Sequence, residues 1–162
     1  MALSPYTTNA EVRAALGISI IDMPDETLDL KIYQFAVEEA FYEINSGTQA
    51  LIDAARAASP PTAKQTRLLT MSELYATYVA AAALVPALPL AALKEMRDDR
   101  TADVRVDDPF KNLADEIGAM LGRYLAKLED ALLAVDPTIV ISTPADVVPG
   151  VAATLGTDPV TG

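Results

Sequence analysis

The chain has 162 residues, 51% of them hydrophobic, and its 23 acids against 12 bases give a net charge of −11. That length supports one sizeable core, and the charge argues against a protein that grips nucleic acid by its phosphates. With neither cysteine nor histidine, disulfides, thiolate metal sites and the commonest general base are all excluded.

The opening Met1-Ala-Leu-Ser-Pro-Tyr6 has neither the basic nor the apolar stretch of a secretory leader, so no targeting segment is expected. Thr7-Thr-Asn-Ala-Glu-Val-Arg-Ala-Ala-Leu-Gly17 follows, where a capping residue precedes a short amphipathic stretch that ends in glycine. It predicts a helix of about two turns. At Asp22-Met-Pro-Asp-Glu26 a proline and acids suit the start of a second helix. Leu30, Tyr33, Val37, Phe41 and Ile44 recur at spacings of three and four and define its apolar face. Leu28, Ile32 and Phe35 widen that face, which predicts a helix set deep in the core and ending near Asn45-Ser-Gly47.

Residues 49–58 are alanine-rich and predict a short helix, broken by Ser59-Pro-Pro61. Thr62 caps a further one, with Leu68, Met71, Tyr75, Tyr78 or Val79, and Ala82 on one face up to Leu84. The uncharged run over residues 74–93 approaches membrane length. Pro86, Pro89 and four successive alanines within it favour a buried helix that stops before Pro86. Between residues 93 and 106 the helical period is lost; Asp98-Asp-Arg-Thr101 resembles a turn, and Val104 and Val106 alternate with charges. A small β-hairpin is expected there.

The longest helix runs from about Asp108-Pro109 to Leu133, with Phe110, Leu113, Ile117, Met120 or Leu121, Tyr124, Leu128 and Leu132 on one stripe. Gly118 and Gly122, four apart, either permit close approach of another helix or tolerate crowding. Residues 136–162 then carry four prolines, three glycines, three aspartates and no base, together with Ile139, Val140, Ile141, Val147, Val148, Val151, Leu155 and Val160. The segment is too apolar for a solvated tail and too broken for a helix. Burying such side chains yields about 1.5–3 kcal/mol each, against about 1–2 kcal/mol per residue for fixing the backbone. A strap of this kind orders only when a neighbour also supplies hydrogen bonds. The expected fold is mainly α: a helical bundle over residues 1–135 with a small β-hairpin, and an extended C-terminal tail over residues 136–162.

Chemistry is sparse. Glu38, Glu39 and Glu43 cluster on one helix and suit either a divalent cation or a solvated face. Asp98, Asp99, Asp103, Asp107 and Asp108 lack the spacing and turn glycine of a calcium loop. No phosphate-cradling glycine loop or nucleophile elbow is present. A carboxylate-only hydrolase would need two converging acids, and without tryptophan an aromatic sugar cleft is hard to build. No catalytic residue, cofactor or metal is therefore assigned. Net charge is −6 over residues 1–60, −2 over residues 61–134 and −3 beyond. The nearly balanced middle, with Arg97, Arg100 and Arg105, suits pairing with acidic surfaces of neighbouring copies.

The opening Thr8-Asn-Ala-Glu-Val-Arg-Ala-Ala-Leu-Gly17, then Met23-Pro-Asp-Glu-Thr-Leu28 and a long amphipathic helix, resembles head–tail connector proteins of tailed bacteriophages, of the adaptor or head-completion type. The later order is similar too: a central helix, a short hairpin ending in Val104-Arg-Val106, and a final helix with Tyr124 and Leu128 inward. The resemblance spans residues 7–133 and transfers no catalytic residue. It implies a structural virion protein at the neck, assembled in the host cytoplasm. There it would form a ring of about twelve copies joined by heterologous contacts, between the portal protein and tail or neck proteins. Genomic DNA would pass through without specific binding, since an acidic wall offers phosphates no cations. No membrane is implied. The strap (Ile139, Val140, Ile141, Val147, Val148, Val151, Leu155) is expected to dock to portal, and Arg97, Arg100 and Arg105 to meet a neighbouring subunit or the tail. The alternative is a small acidic helical regulatory module that covers a basic partner, with no high-order ring.

Overall fold

The computed structural model describes residues 6–88 and 110–142. In chain order these form α1 (Asn9–Leu16), α2 (Asp25–Leu28), α3 (Lys31–Ile44), α4 (Thr48–Ala57), α5 (Ala63–Leu84), a 3-10 turn (Val85–Ala87) and α6 (Lys111–Val135). Among the described residues the fold is helical and holds no strand. The expected hairpin at residues 93–106 lies outside them.

Local chemistry sets the first boundaries. The Thr8 hydroxyl accepts from the Glu11 N–H at 3.3 Å, and the Glu11 carboxylate accepts from the Thr8 N–H at 2.9 Å, so a capping box starts α1. At its end Gly17 takes φ 67°, a left-handed conformation that glycine adopts without steric cost. Its N–H bonds to the Ala14 carbonyl and that of Ile18 to Arg13, which closes a Schellman motif. Thr62 and Gln65 form a second capping box at the start of α5.

A single helix was expected to run on from Pro24, but the chain breaks at Asp29 and Leu30. Leu30 is extended, with φ −67° and ψ 132°. The cause is a polar clasp: the Asn9 amide donates to Asp25 and Asp29, both at 3.1 Å, and Arg13 bonds to Asp25 at 2.7 Å, tying α2 to α1. An unbroken helix would carry Leu28 round to the side of Phe35, since each residue turns about 100°. The break instead buries Leu28 fully and leaves Leu30, Ile32 and Phe35 exposed. The widened apolar face is thereby corrected: α3 buries Tyr33, Val37, Phe41 and Ile44 alone.

The central helix, α5, packs against α1, α3, α4 and α6. Its buried residues Leu68, Tyr75, Ala76, Val79, Ala80, Ala81 and Leu84 pass most of the way round its circumference, as befits a helix covered on several sides. By length and composition the stretch Ala63–Ala87 could cross a membrane, and 44% of its apolar window is buried within this fold. Buried Ser72 and Thr77 donate to the Leu69 and Glu73 carbonyls of their own helix at 2.8 and 2.9 Å, which removes the cost of burying a hydroxyl. α6 covers α5 with Ile117, Leu128, Ala131 and Leu132, and Tyr78 stacks on Tyr124 at 5.2 Å. Of the two alternatives on the expected stripe, Met120 and Leu121, both are half-buried and Leu121 packs against the core. Gly118 and Gly122 are exposed, with open space where a Cβ would stand, so neither marks a close approach among the described residues.

Three substitutions separate these contributions by urea denaturation. Leu128→Ala should lower the unfolding free energy by about 2–5 kcal/mol, the cost of a cavity at a fully buried site. Gly118→Ala should raise it by about 0.5–1 kcal/mol, because the position is helical and unobstructed. Among the described residues the buried Thr48 hydroxyl has no hydrogen-bond partner, and Thr48→Val should stabilise by about 1 kcal/mol.

Candidate partner-binding surfaces

The C-terminal arm starts where α6 stops. Asp136 accepts from the Thr138 N–H at 2.9 Å and its hydroxyl at 2.6 Å, a turn on the aspartate side chain that sends the chain past Pro137. Those two bonds hold the Asp136 carboxyl below the usual carboxylate range. Beyond the turn the arm crosses the end of α3. The Asn45 amide donates to the Val140 carbonyl at 2.7 Å, and the Ser142 N–H to the Ile44 carbonyl at 2.9 Å. Ile44 is the last residue of α3 and its carbonyl has no partner within the helix, so the arm satisfies a helix end as well as extending the body.

Side chains alternate along this crossing, as an extended backbone requires. Ile139 and Ile141 pack against the chain's own core, while Val140 stands 75% exposed. Of the arm residues assigned to a partner, two are thus engaged at home and one faces outward. Val147, Val148, Val151 and Leu155 lie outside the described residues, as do Arg97, Arg100 and Arg105. The Asp136-Pro-Thr138 sequence was the available signal for the turn, and the Ile-Val-Ile alternation for the crossing.

A cleft of about 370 Å³ opens between α1 and α5, lined by Glu11, Thr70, Glu73, Thr77 and Tyr78 among others. Of its two acids, Glu11 caps α1: one Glu11 oxygen accepts from the Thr8 N–H at 2.9 Å, the Thr8 hydroxyl at 2.8 Å and the Thr7 hydroxyl at 3.2 Å. The Thr7 and Thr77 hydroxyl oxygens lie 2.6 Å apart and join α1's approach to α5. The Glu11 side of the cleft is thus the reverse of a helix cap, and among the described residues the other acid lining the cleft is Glu73. Glu38, on α3, accepts from the Gln34 amide at 2.7 Å. Among the described residues no three acids converge to hold a metal ion.

Beneath α3 an aromatic line joins three segments: Tyr6 meets Phe41 edge-on at 5.1 Å, and Phe41 meets Tyr75 at 5.8 Å. Burial, with smaller contributions from Glu43 and Glu129, pushes the Tyr75 phenol up to about 12. Burial also raises Tyr6, helped by Asp53 and Glu38, and Tyr78, helped by Tyr124. Glu129 is itself raised, by partial burial and then by Asp130.

The folded chain therefore holds the Tyr75 proton more tightly than the unfolded chain does. Below the ordinary tyrosine value, near 10, this contribution is fully present. It is lost as pH rises from there towards 12, because the unfolded state releases its proton first. The urea midpoint should fall between about pH 9 and about pH 11, and fall less in Tyr75→Phe; an equal fall in both would remove Tyr75 as a source. The chain matches no protein-family model, no curated protein and no solved structure, so its surfaces carry the functional argument.

Proposed function

We propose that the chain is a structural subunit of a phage head–tail connector, a ring adaptor between portal and tail whose body lines the DNA channel. The observation that carries this reading is the arm. It is stapled to the end of α3 by Asn45 and Ser142, and the sequence beyond residue 142 supplies Val147, Val148, Val151 and Leu155 with no helix-forming pattern. Such a segment acquires backbone partners by strand addition to another protein, and portal is the partner proposed. The net charge of −11 supports a wall that DNA passes without arrest. The segment with Arg97, Arg100 and Arg105 is the proposed contact with the neighbouring subunit or tail, in a ring of about twelve copies. The reading is structural and non-enzymatic, needs no cofactor, and places the protein at the virion neck.

A second reading, an acidic regulatory module covering a basic partner, is favoured by one feature. α3 carries Glu39 and Glu43 on its exposed side, and no ion pair engages either among the described residues.

Mass photometry of the chain, alone and with a candidate portal ring, distinguishes the two. A discrete ring, or about one copy added per portal subunit, is expected for a connector. A monomer or dimer indifferent to portal would transfer the function to the regulatory reading. The arm is tested by ending the chain after Ser142, because removing residues 136–142 as well would also strip Ile139 and Ile141 from the core. The shortened chain should keep its unfolding midpoint and lose portal; portal binding retained would overturn the arm's role.

A further inference from the structure

Ile32, Phe35 and Tyr42 are 66%, 64% and 68% exposed. At about 100° per residue they fall within about 80° of arc on α3, opposite Tyr33, Val37, Phe41 and Ile44. Single exposed apolar residues are ordinary, whereas three large ones on one stripe, two of them aromatic, form a patch. Glu39 lies within that arc, and Glu38 and Glu43 border it on either side.

The charges of α3 run against the helix that carries them. Its first turn has no acid and its last turn no base; instead Lys31 stands at the positive end and Glu43 at the negative end. Both placements oppose the helix dipole. Glu39 and Glu43 are also like charges four residues apart, which repel. No ion pair relieves Glu38, Glu39 or Glu43 among the described residues. This arrangement disfavours the isolated helix and suits a surface where cations arrive from outside.

We propose that the outer face of α3 docks a basic amphipathic segment of another protein. Its apolar side chains cover Ile32 and Phe35, and its Lys or Arg residues lie over the C-terminal half, paired with Glu38, Glu39 and Glu43 and stacked on the Tyr42 ring. A second copy apposed through its own α3 fits poorly, because that face brings one cation, Lys31, to three acids and leaves Glu38 and Glu39 of both copies opposed; a second copy apposed through Arg97, Arg100 and Arg105 is the outcome that self-association decides. The chain's own residues 143–162 contain two aspartates and no base, so they cannot neutralise the face. The inference holds whether or not the chain forms a ring.

Calorimetry tests it with two synthetic helical peptides of about 18 residues sharing one leucine stripe, one flanked by lysine and arginine, the other by glutamate. The basic peptide should bind, more weakly as salt rises from about 50 to about 300 mM. Phe35→Ser, at an exposed position and checked for unchanged helicity, should weaken it about tenfold or more. Glu39→Lys with Glu43→Lys should lose the basic peptide and gain the acidic one. Equal binding of both peptides, binding of neither, or basic-peptide binding indifferent to these substitutions overturns the proposal. So does self-association abolished by Phe35→Ser, which gives the face to a second copy, or basic-peptide binding that arises only once residues 143–162 are removed, which gives it to the arm.

Discussion

Ala76, Ala80 and Ala81 of α5 are fully buried, and with nothing beyond a Cβ they let neighbouring helices approach the α5 backbone. The arrangement turns on that closeness, because α5 is the one helix against which α1, α3, α4 and α6 all pack. A larger side chain at these positions would push a neighbour off the hub and open the layer between them. The same constraint explains how hydroxyls sit in the core. Ser72 and Thr77 are small enough to lie among the alanines and bond within their own helix, so close packing carries no unmet polar group there.

Around this hub, polar contacts fix what apolar packing leaves undetermined. Hydrophobic burial is non-directional, and it does not decide whether residues 25–44 run as one helix or two. Asn9 and Arg13 decide it, by gripping Asp25 and Asp29 from α1. Leu28 then reaches the core, and the outer side of α3 is left with Ile32, Phe35 and Tyr42. At the far end the α3 carbonyls need donors, and Ser142 supplies one to Ile44 from the arm. The exposed face of α3 and the exit of the arm are thus products of two polar contacts, one at each end of that helix.

Sequence alone reveals features whose partners lie within a few residues. The capping residue before α1, Thr62 before α5, and Gly17 are three such cases, and the helices they bound appear where expected. The stop of α5 at Leu84, before Pro86, is of the same kind. The break before α3 was not legible, since the residue that holds Asp29 lies 20 positions away and no local pattern announces it. Periodicity then misplaced Leu30, Ile32 and Phe35: a phase carried unbroken from Pro24 counts Ile32 and Phe35 with Leu28, and puts inside the helix a Leu30 that stands extended before it. Ile139 and Ile141 posed a different problem: an alternating aliphatic run looks the same whether it covers its own core or a partner's. Of the residues assigned to partners, only Ile139, Val140 and Ile141 fall among the described ones, and of the three Val140 alone is free to meet another chain.

The two surfaces argued for are also neighbours. Ser142 bonds to Ile44, one residue beyond Glu43, so the arm crosses α3 at its acidic end. A partner that covers the exposed Val140 comes close to the end of α3 that carries Glu43. An acidic or neutral partner would leave that carboxylate partly desolvated and unpaired, which is costly, whereas a basic rim around an apolar groove would satisfy both residues at once. The two proposals, for the arm and for the outer face of α3, therefore call for one partner chemistry: in a partner that met both, the acids would select which basic surface the chain settles on.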